Sequence, residues 1–182
     1  MKVEDLPANI YAKQILKTIM KEKVCVLSGI TGCGKSTQIP QIILQNDPNA
    51  NIAVCEPRRI AATALASRVS DEMNDLPVGG KVGYHIGSKS RMSQKTQILY
   101  MTYGIFIQKL IHNKKFNHNY VILDEVHERS TDMDFVFVTL KKLLSEEKKE
   151  NIRVIIMSAT INSQSFTKYF SLHKTNETFL FP

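Results

Sequence analysis

The stretch Gly29-Ile30-Thr31-Gly32-Cys33-Gly34-Lys35-Ser36-Thr37 constrains the fold more than any other part of the chain. An apolar, β-branched run, Val24–Leu27, leads into it, and a helix-like segment, Lys35–Gln45, leads out. Glycine at these positions lets the backbone turn sharply and point successive N–H groups inward, with no Cβ in the way. A strand that enters such a turn and leaves as a helix is one βα unit. Such units assemble into a parallel sheet with helices on both faces. The rest of the chain repeats the alternation. Asn51–Cys55, Gln97–Met101, Tyr120–Leu123 and Arg153–Met157 read as buried strands, and Lys81–His85 as a further, shorter one. Leu6–Met20, Lys35–Gln45, Ile60–Met73, Tyr103–His112, Asp132–Leu144 and Ser163–Phe170 read as helices. In Leu6–Met20 the expected inward side carries Ile10, Ile15, Leu16 and Ile19, and the aromatics Phe135, Phe137, Phe166, Tyr169 and Phe170 are expected in the core. With 182 residues the chain has the length of one α/β domain.

From Gly29 to Ser36 the loop carries the Gly-x4-Gly-Lys-Ser pattern in the strand–loop–helix context that phosphate binding requires. Gly29, Thr31, Gly32, Cys33, Gly34 and Thr37 form the expected backbone cradle. The helix N-terminus adds a positive dipole. Lys35 supplies a point charge to the β- and γ-phosphates of ATP, and the Ser36 hydroxyl can ligate Mg²⁺. The competing reading is a Gly-rich turn with an accidental lysine. Tyr120–Leu123 runs directly into Asp124 and Glu125. An acid at the end of a buried strand holds the magnesium shell in nucleotide hydrolases, so Asp124 is expected there through water, with Glu125 beside it. Glu125 can also orient and deprotonate an attacking water. Acids often end strands, and the phosphate loop on an earlier strand is what gives this pair its meaning.

Ligands of an open α/β sheet bind beyond the carboxyl ends of its strands. Arg58 and Arg59, Thr102 and Gly104, and Ser158 and Thr160 all directly follow strands. The net charge of +7 and pI near 9.3 favour polyanions, meaning nucleic acid or an anionic membrane surface. The longest apolar runs, such as Val154–Met157, are too short to span a bilayer. The guanidiniums of Arg58 and Arg59 suit phosphate contacts, and Thr102 and Gly104 can offer a hydroxyl and an unshielded N–H. Such contacts fix register without reading bases. Solvation, or pairing of the arginines with Glu56, is the alternative for Arg58 and Arg59, and helix capping is the alternative for Thr102 and Gly104. Cys25, Cys33 and Cys55 have no metal-ligand spacing. Cys25 and Cys55 read as core thiols of a protein from a reducing compartment, cytosol or nucleus.

Asp124-Glu125-Val126-His127 resembles the DExH box, and the chain as a whole resembles the first RecA-like domain of the DEAH/RNA helicase A family of superfamily 2 helicases. Gly29–Thr37 resembles motif I, Pro57-Arg58-Arg59-Ile60-Ala61-Ala62 motif Ia, Met101-Thr102-Tyr103-Gly104 motif Ib, and Ser158-Ala159-Thr160 motif III. Gln38-Ile39-Pro40-Gln41 and Glu128-Arg129-Ser130 match the family as well. Val126, where DEAH has alanine, is similar to the RNA helicase A branch and to tudor-domain helicases of the Spindle-E kind. The resemblance implies ATP hydrolysis coupled to movement on single-stranded RNA. It also implies that Arg68 stacks on the nucleotide base, and that His127 couples the Mg²⁺ site to motif III through Ser158 and Thr160. A surface arginine and a satisfied strand-end histidine are the plain alternatives. Glu56 stands where many relatives have glutamine, and Tyr103 where an acid is usual. His85–Arg91 lacks the family's Arg-Phe pair, a place Lys89 or Arg91 can fill. A second RecA-like domain, with arginine fingers and a water-positioning glutamine, has no match here, so residues 1–182 are expected to be one half of a motor. A small-molecule kinase, or a helicase-like RNA- or protein-binding module with little turnover, are the rival readings.

Overall fold

β-Branched and apolar residues dominate the central strands because those strands are buried on both sides. The computed structural model describes residues 3–112, 117–145, 152–159, 169–170 and 178–180. Its strands are β1 (Val24–Ser28), β2 (Ile52–Glu56), β3 (Val82–Ile86), β4 (Lys89–Arg91), β5 (Ile98–Thr102), β6 (Tyr120–Leu123), β7 (Arg153–Ser158) and β8 (Thr178–Leu180). They form one eight-stranded sheet in the order β4-β3-β5-β2-β6-β7-β1-β8. All neighbours run parallel except β3 and β4. The helices are α1 (Pro7–Ile10), α2 (Ala12–Lys21), α3 (Lys35–Asn46), α4 (Arg59–Glu72), α5 (Tyr103–His112) and α6 (Thr131–Ser145).

Side-chain alternation sorts the core into two layers. Cys25 and Leu27 of β1, Ile52 and Val54 of β2, and Ile155 and Met157 of β7 pack with Ile15, Ile19, Ile39, Ala62 and Val69 of α2, α3 and α4. Val24, Val26, Ala53, Cys55, Val154 and Ile156 point the other way, onto Ile105 and Phe106 of α5 and Met133, Val136 and Leu140 of α6. Helices thus cover both faces, as the alternation of segments predicts. Cys25, Cys33 and Cys55 are buried thiols outside any disulfide.

Several expectations need correction. The segment expected as one helix over Leu6–Met20 is two, broken by a turn at Tyr11. The break changes the phase of the apolar side, so Ile15 and Ile19 are buried while Ile10 is exposed. Phe135 is exposed rather than core, because Met133, Val136, Phe137 and Leu140 set the inward face of α6. Tyr169 is half-exposed against Phe137, and Phe170 is buried. Phe166 and most of the expected helix Ser163–Phe170 lie outside the described residues. The edge strands β4 and β8 have three residues each, too few to show a strand pattern in the sequence. No described helix is long and apolar enough to cross a membrane.

Pro40 lies inside α3, where it has no N–H to give the carbonyl of Ser36 four residues back. The Tyr100 hydroxyl of β5 donates to that carbonyl instead, at 2.8 Å, so the helix runs through its proline with the group satisfied.

Candidate active site

Parallel register aligns the carboxyl ends of the central strands. Ser28 pairs with Ser158, Glu56 with Thr102, and Cys55 and Ile156 each with Leu123. The segments that follow these strands therefore meet along one edge of the sheet.

The loop after β1 is built around left-handed glycines. Gly32 has φ +86° with open space where a Cβ would stand, and Gly34 has φ +92° as the N-cap of α3. Thr31, Gly32, Gly34, Lys35, Ser36 and Thr37 line a cleft of about 250 Å³, with Leu6, Leu65, Arg68 and Glu125 completing it. Gly29 and Cys33 sit behind this lining and hold the lysine. The Lys35 ammonium donates to the carbonyls of Gly29 at 2.6 Å and Ile30 at 3.0 Å, and lies 3.4 Å from Cys33 Sγ. The Gly29 amide donates to the Ser158 carbonyl at 3.1 Å, which ties the start of the loop to the end of β7.

Asp124 is buried at the end of β6. Its Oδ1 accepts from the Glu125 amide at 2.8 Å, and its main-chain carbonyl accepts from the buried Tyr103 hydroxyl at 2.7 Å. Tyr103, which replaces the family's usual acid, is thus a buried support for motif II. Glu125 takes a left-handed backbone at φ 53°, a conformation a non-glycine residue holds only when its surroundings enforce it. Burial and the neighbouring Asp124 raise the Glu125 carboxyl above its ordinary range, against an opposing pull from His127 and Lys35. A raised carboxyl facing the cleft is suited to accept a proton near neutral pH.

Glu56 does not reach for the arginines beyond it. It is buried against Asp124, and its Oε1 and the Asp124 Oδ2 are both shut from solvent without a donor. Burial and the Asp124 carboxylate push Glu56 up to about 11. A retained proton supplies the donor these two oxygens need. The oxygens of Ser36 and Glu125 on the cleft side, with the buried Asp124 carboxylate next to Glu125 in the chain, are hard ligands. That set suits magnesium, which in phosphoryl-transfer sites keeps several waters and takes few protein ligands.

His127 Nδ1 lies 3.3 Å from Glu125 Oε2 and 3.5 Å from the Ala159 amide. It can serve only one of them at a time, since the first contact needs a proton on Nδ1 and the second needs a lone pair. The contact that the structure describes from the end of β7 to His127 is that of the Ala159 backbone amide. Ser158 is buried beneath it, and Thr160 lies outside the described residues.

Arg58 and Arg59 are exposed at the start of α4. Arg58 pairs with Glu128 at 2.7 Å, not with Glu56. The Arg59 guanidinium carbon lies 3.3 Å from where a Cβ on Gly87 would be, so it packs on the β3–β4 turn near the exposed Lys89 and Arg91. Thr102 is half-buried at the end of β5. Gly104 shares its place with an acid, since Asp132 Oδ2 lies 3.1 Å from a Cβ built there. A phosphate at Gly104 meets that negative charge, which weakens the expectation for this residue. Sequence reasoning passed over Leu6, Leu65 and Glu72. Leu6 is brought in by the Ala8 amide, which donates to the Cys33 carbonyl at 3.0 Å. No local pattern marks such a contact.

Residues 9–168 match the DEAD/DEAH box helicase family. The chain is 44% identical over 179 residues to the probable ATP-dependent RNA helicase spindle-E of Culex quinquefasciatus, covering 96% of this chain and 13% of that protein. It is 42% identical over 172 residues to the protein of the same description from Anopheles gambiae, covering 92% and 12%. To the ATP-dependent RNA helicase TDRD9 of Rattus norvegicus it is 38% identical over 190 residues, covering 99% and 13%. The chain thus spans about an eighth of the length of these curated relatives. With a match over most of its length and these identities, the chain belongs to the DEAD/DEAH box helicase family.

Proposed function

We propose that this chain is the ATP-binding half of an RNA-dependent motor that hydrolyses ATP and couples the step to movement on RNA. The observation that carries the reading is the cleft in which Lys35, Ser36 and Glu125 face one another at the mouth of the glycine loop. Its backbone N–H groups and the N-terminus of α3 receive phosphate oxygens, and the Lys35 ammonium exchanges loop carbonyls for the β- and γ-phosphates. Magnesium, when bound, neutralises charge on the phosphate oxygens, and the Ser36 hydroxyl, Asp124 and Glu125 are the residues that would hold it. Glu125 orients a water towards the γ-phosphorus and takes its proton as the oxygen attacks, releasing ADP and phosphate. Tyr103 and Glu56 keep Asp124 in place from below.

Arg58, Arg59 and Thr102 form the face for RNA phosphates, next to Lys89 and Arg91, with sequence-independent contacts that weaken as salt rises. His127 and Ser158 transmit the state of the cleft to β7 and to a second RecA-like domain, which would supply the remaining catalytic groups. A reducing compartment, cytosol or nucleus, fits three buried thiols outside any disulfide.

Calorimetric titration of the chain with Mg²⁺–ADP, beside Lys35→Ala, tests the nucleotide site. Loss of a charge-assisted phosphate contact is expected to weaken binding by about 2 kcal/mol or more. Equal binding by the two proteins would refute the site.

A further inference from the structure

Among the described residues, Arg68 is the only cation lining the cleft that the glycine loop does not itself supply. Its side chain is 61% exposed, and an exposed arginine ordinarily samples many rotamers. Here its Nε donates to Glu72 Oε1 at 2.6 Å, one turn along α4. An isolated surface pair at this spacing does little to fix either partner. Glu72, however, is itself held. Its side chain is only 12% exposed, and its second oxygen accepts from Gln38 Nε2 and Gln41 Nε2, each at 2.8 Å. Both glutamines are buried on α3, the helix that begins at Lys35. Gln38 is fixed in turn by Asn9, which donates to its Oε1 at 3.1 Å, and Gln41 by the Thr37 carbonyl at 3.0 Å. Burial alone would raise the Glu72 carboxyl, but the hydrogen bonds from Arg68, Gln41 and Gln38 outweigh it and keep it below its ordinary range.

We propose that Glu72, clamped by Gln38 and Gln41, is a positioning residue that holds the Arg68 guanidinium over the cleft to stack on the base of a bound nucleotide. The inference rests on the nucleotide reading above and on the base contact that the family resemblance implies for Arg68, and what it adds is the role of Glu72. Committing Nε to Glu72 leaves the planar face of the guanidinium open, and a planar cation over an aromatic ring is attractive whichever base it meets. Leu6 and Leu65 add apolar wall beside it, while Lys35 and Ser36 take the phosphate end. Because the clamp is anchored on α3, the base site and the phosphate loop keep a fixed separation.

The test compares Mg²⁺–ADP with Mg²⁺–pyrophosphate, which lacks the base, by calorimetry on the chain. Arg68→Ala and Glu72→Ala are each expected to weaken ADP by about threefold to tenfold while pyrophosphate changes less than about twofold. The double variant is expected to be no weaker than Arg68→Ala alone, since both act through one contact. Glu72→Gln keeps the shape of the clamp but not its charge, so it is expected to fall between wild type and Glu72→Ala. Retained pyrophosphate binding shows that each variant keeps a folded loop. The inference is overturned if Glu72→Ala and Glu72→Gln bind ADP as wild type does. It is also overturned if they lose pyrophosphate as much as ADP, which would make Glu72 a support of the loop alone. Lys35→Ala is expected to weaken both ligands. If it weakens neither, the nucleotide reading itself fails, and this inference with it.

Discussion

Tyr100→Phe removes a single oxygen from a fully buried ring, and its effect should depend on a proline four residues beyond its acceptor. The Ser36 carbonyl has no helical donor because Pro40 occupies the position that would supply one, and the Tyr100 hydroxyl fills the gap at 2.8 Å. Deleting the hydroxyl takes the donor from a partly buried carbonyl, at a cost of about 1–2 kcal/mol. For a domain of this size that lowers Tm by roughly 2–4 °C per kcal/mol. Pro40→Ala restores the missing N–H. In that background Tyr100→Phe is expected to cost less than about 0.5 kcal/mol, giving a coupling on the order of 1–2 kcal/mol. The assay is urea unfolding of wild type, both single variants and the double variant, followed by far-UV circular dichroism. If Tyr100→Phe costs the same with and without Pro40, the hydroxyl is not compensating for the proline and the reasoning is wrong. Because Ser36 is also the expected magnesium ligand, the same variant is expected to weaken Mg²⁺–ADP binding only where Pro40 is present.

Two further predictions concern charge. Glu56 is raised from 4.5 to about 11, so its proton is retained in the folded protein and lost from the unfolded chain over that window. Its contribution is fully present below 4.5 and is lost as pH rises towards about 11. Stability in metal-free buffer is therefore expected to fall with pH above about 5, by at most about 1.4 kcal/mol per unit, and Glu56→Gln is expected to flatten that slope. Parallel pH profiles for the two proteins would show that Glu56 is ionised in the fold. The Arg58–Glu128 pair joins side chains that are 71% and 29% exposed, so a double-mutant cycle on stability is expected to return less than about 1 kcal/mol. On RNA the same arginine is expected to matter more. Arg58→Ala should reduce the slope of log affinity against log salt by about one, with no change in base preference, and an unchanged slope would place Arg58 outside the RNA face.

The sequence alone determined the βα repeat, the loop at Gly29–Thr37 and the acids after Tyr120–Leu123, because each is a local pattern. A strand period, a glycine turn and a helix start are written within a few neighbouring residues, and a parallel sheet then places their ends on one edge. The same local reading could not say which groups meet across that edge. Glu56 pairs with Asp124 rather than with Arg58 because β2 and β6 are neighbours and the sheet buries both acids. Arg58 finds Glu128, and His127 finds the Ala159 amide, through folding between distant segments. Tyr100 and Tyr103 look like ordinary strand-end aromatics until tertiary packing puts their hydroxyls on the carbonyls of Ser36 and Asp124. The clamp on Arg68 likewise exists only because α3 and α4 lie side by side on one face. Hydrogen bonding between side chains far apart in the chain depends on ångström-scale placement, which periodicity and motif spacing do not encode and the packed sheet does.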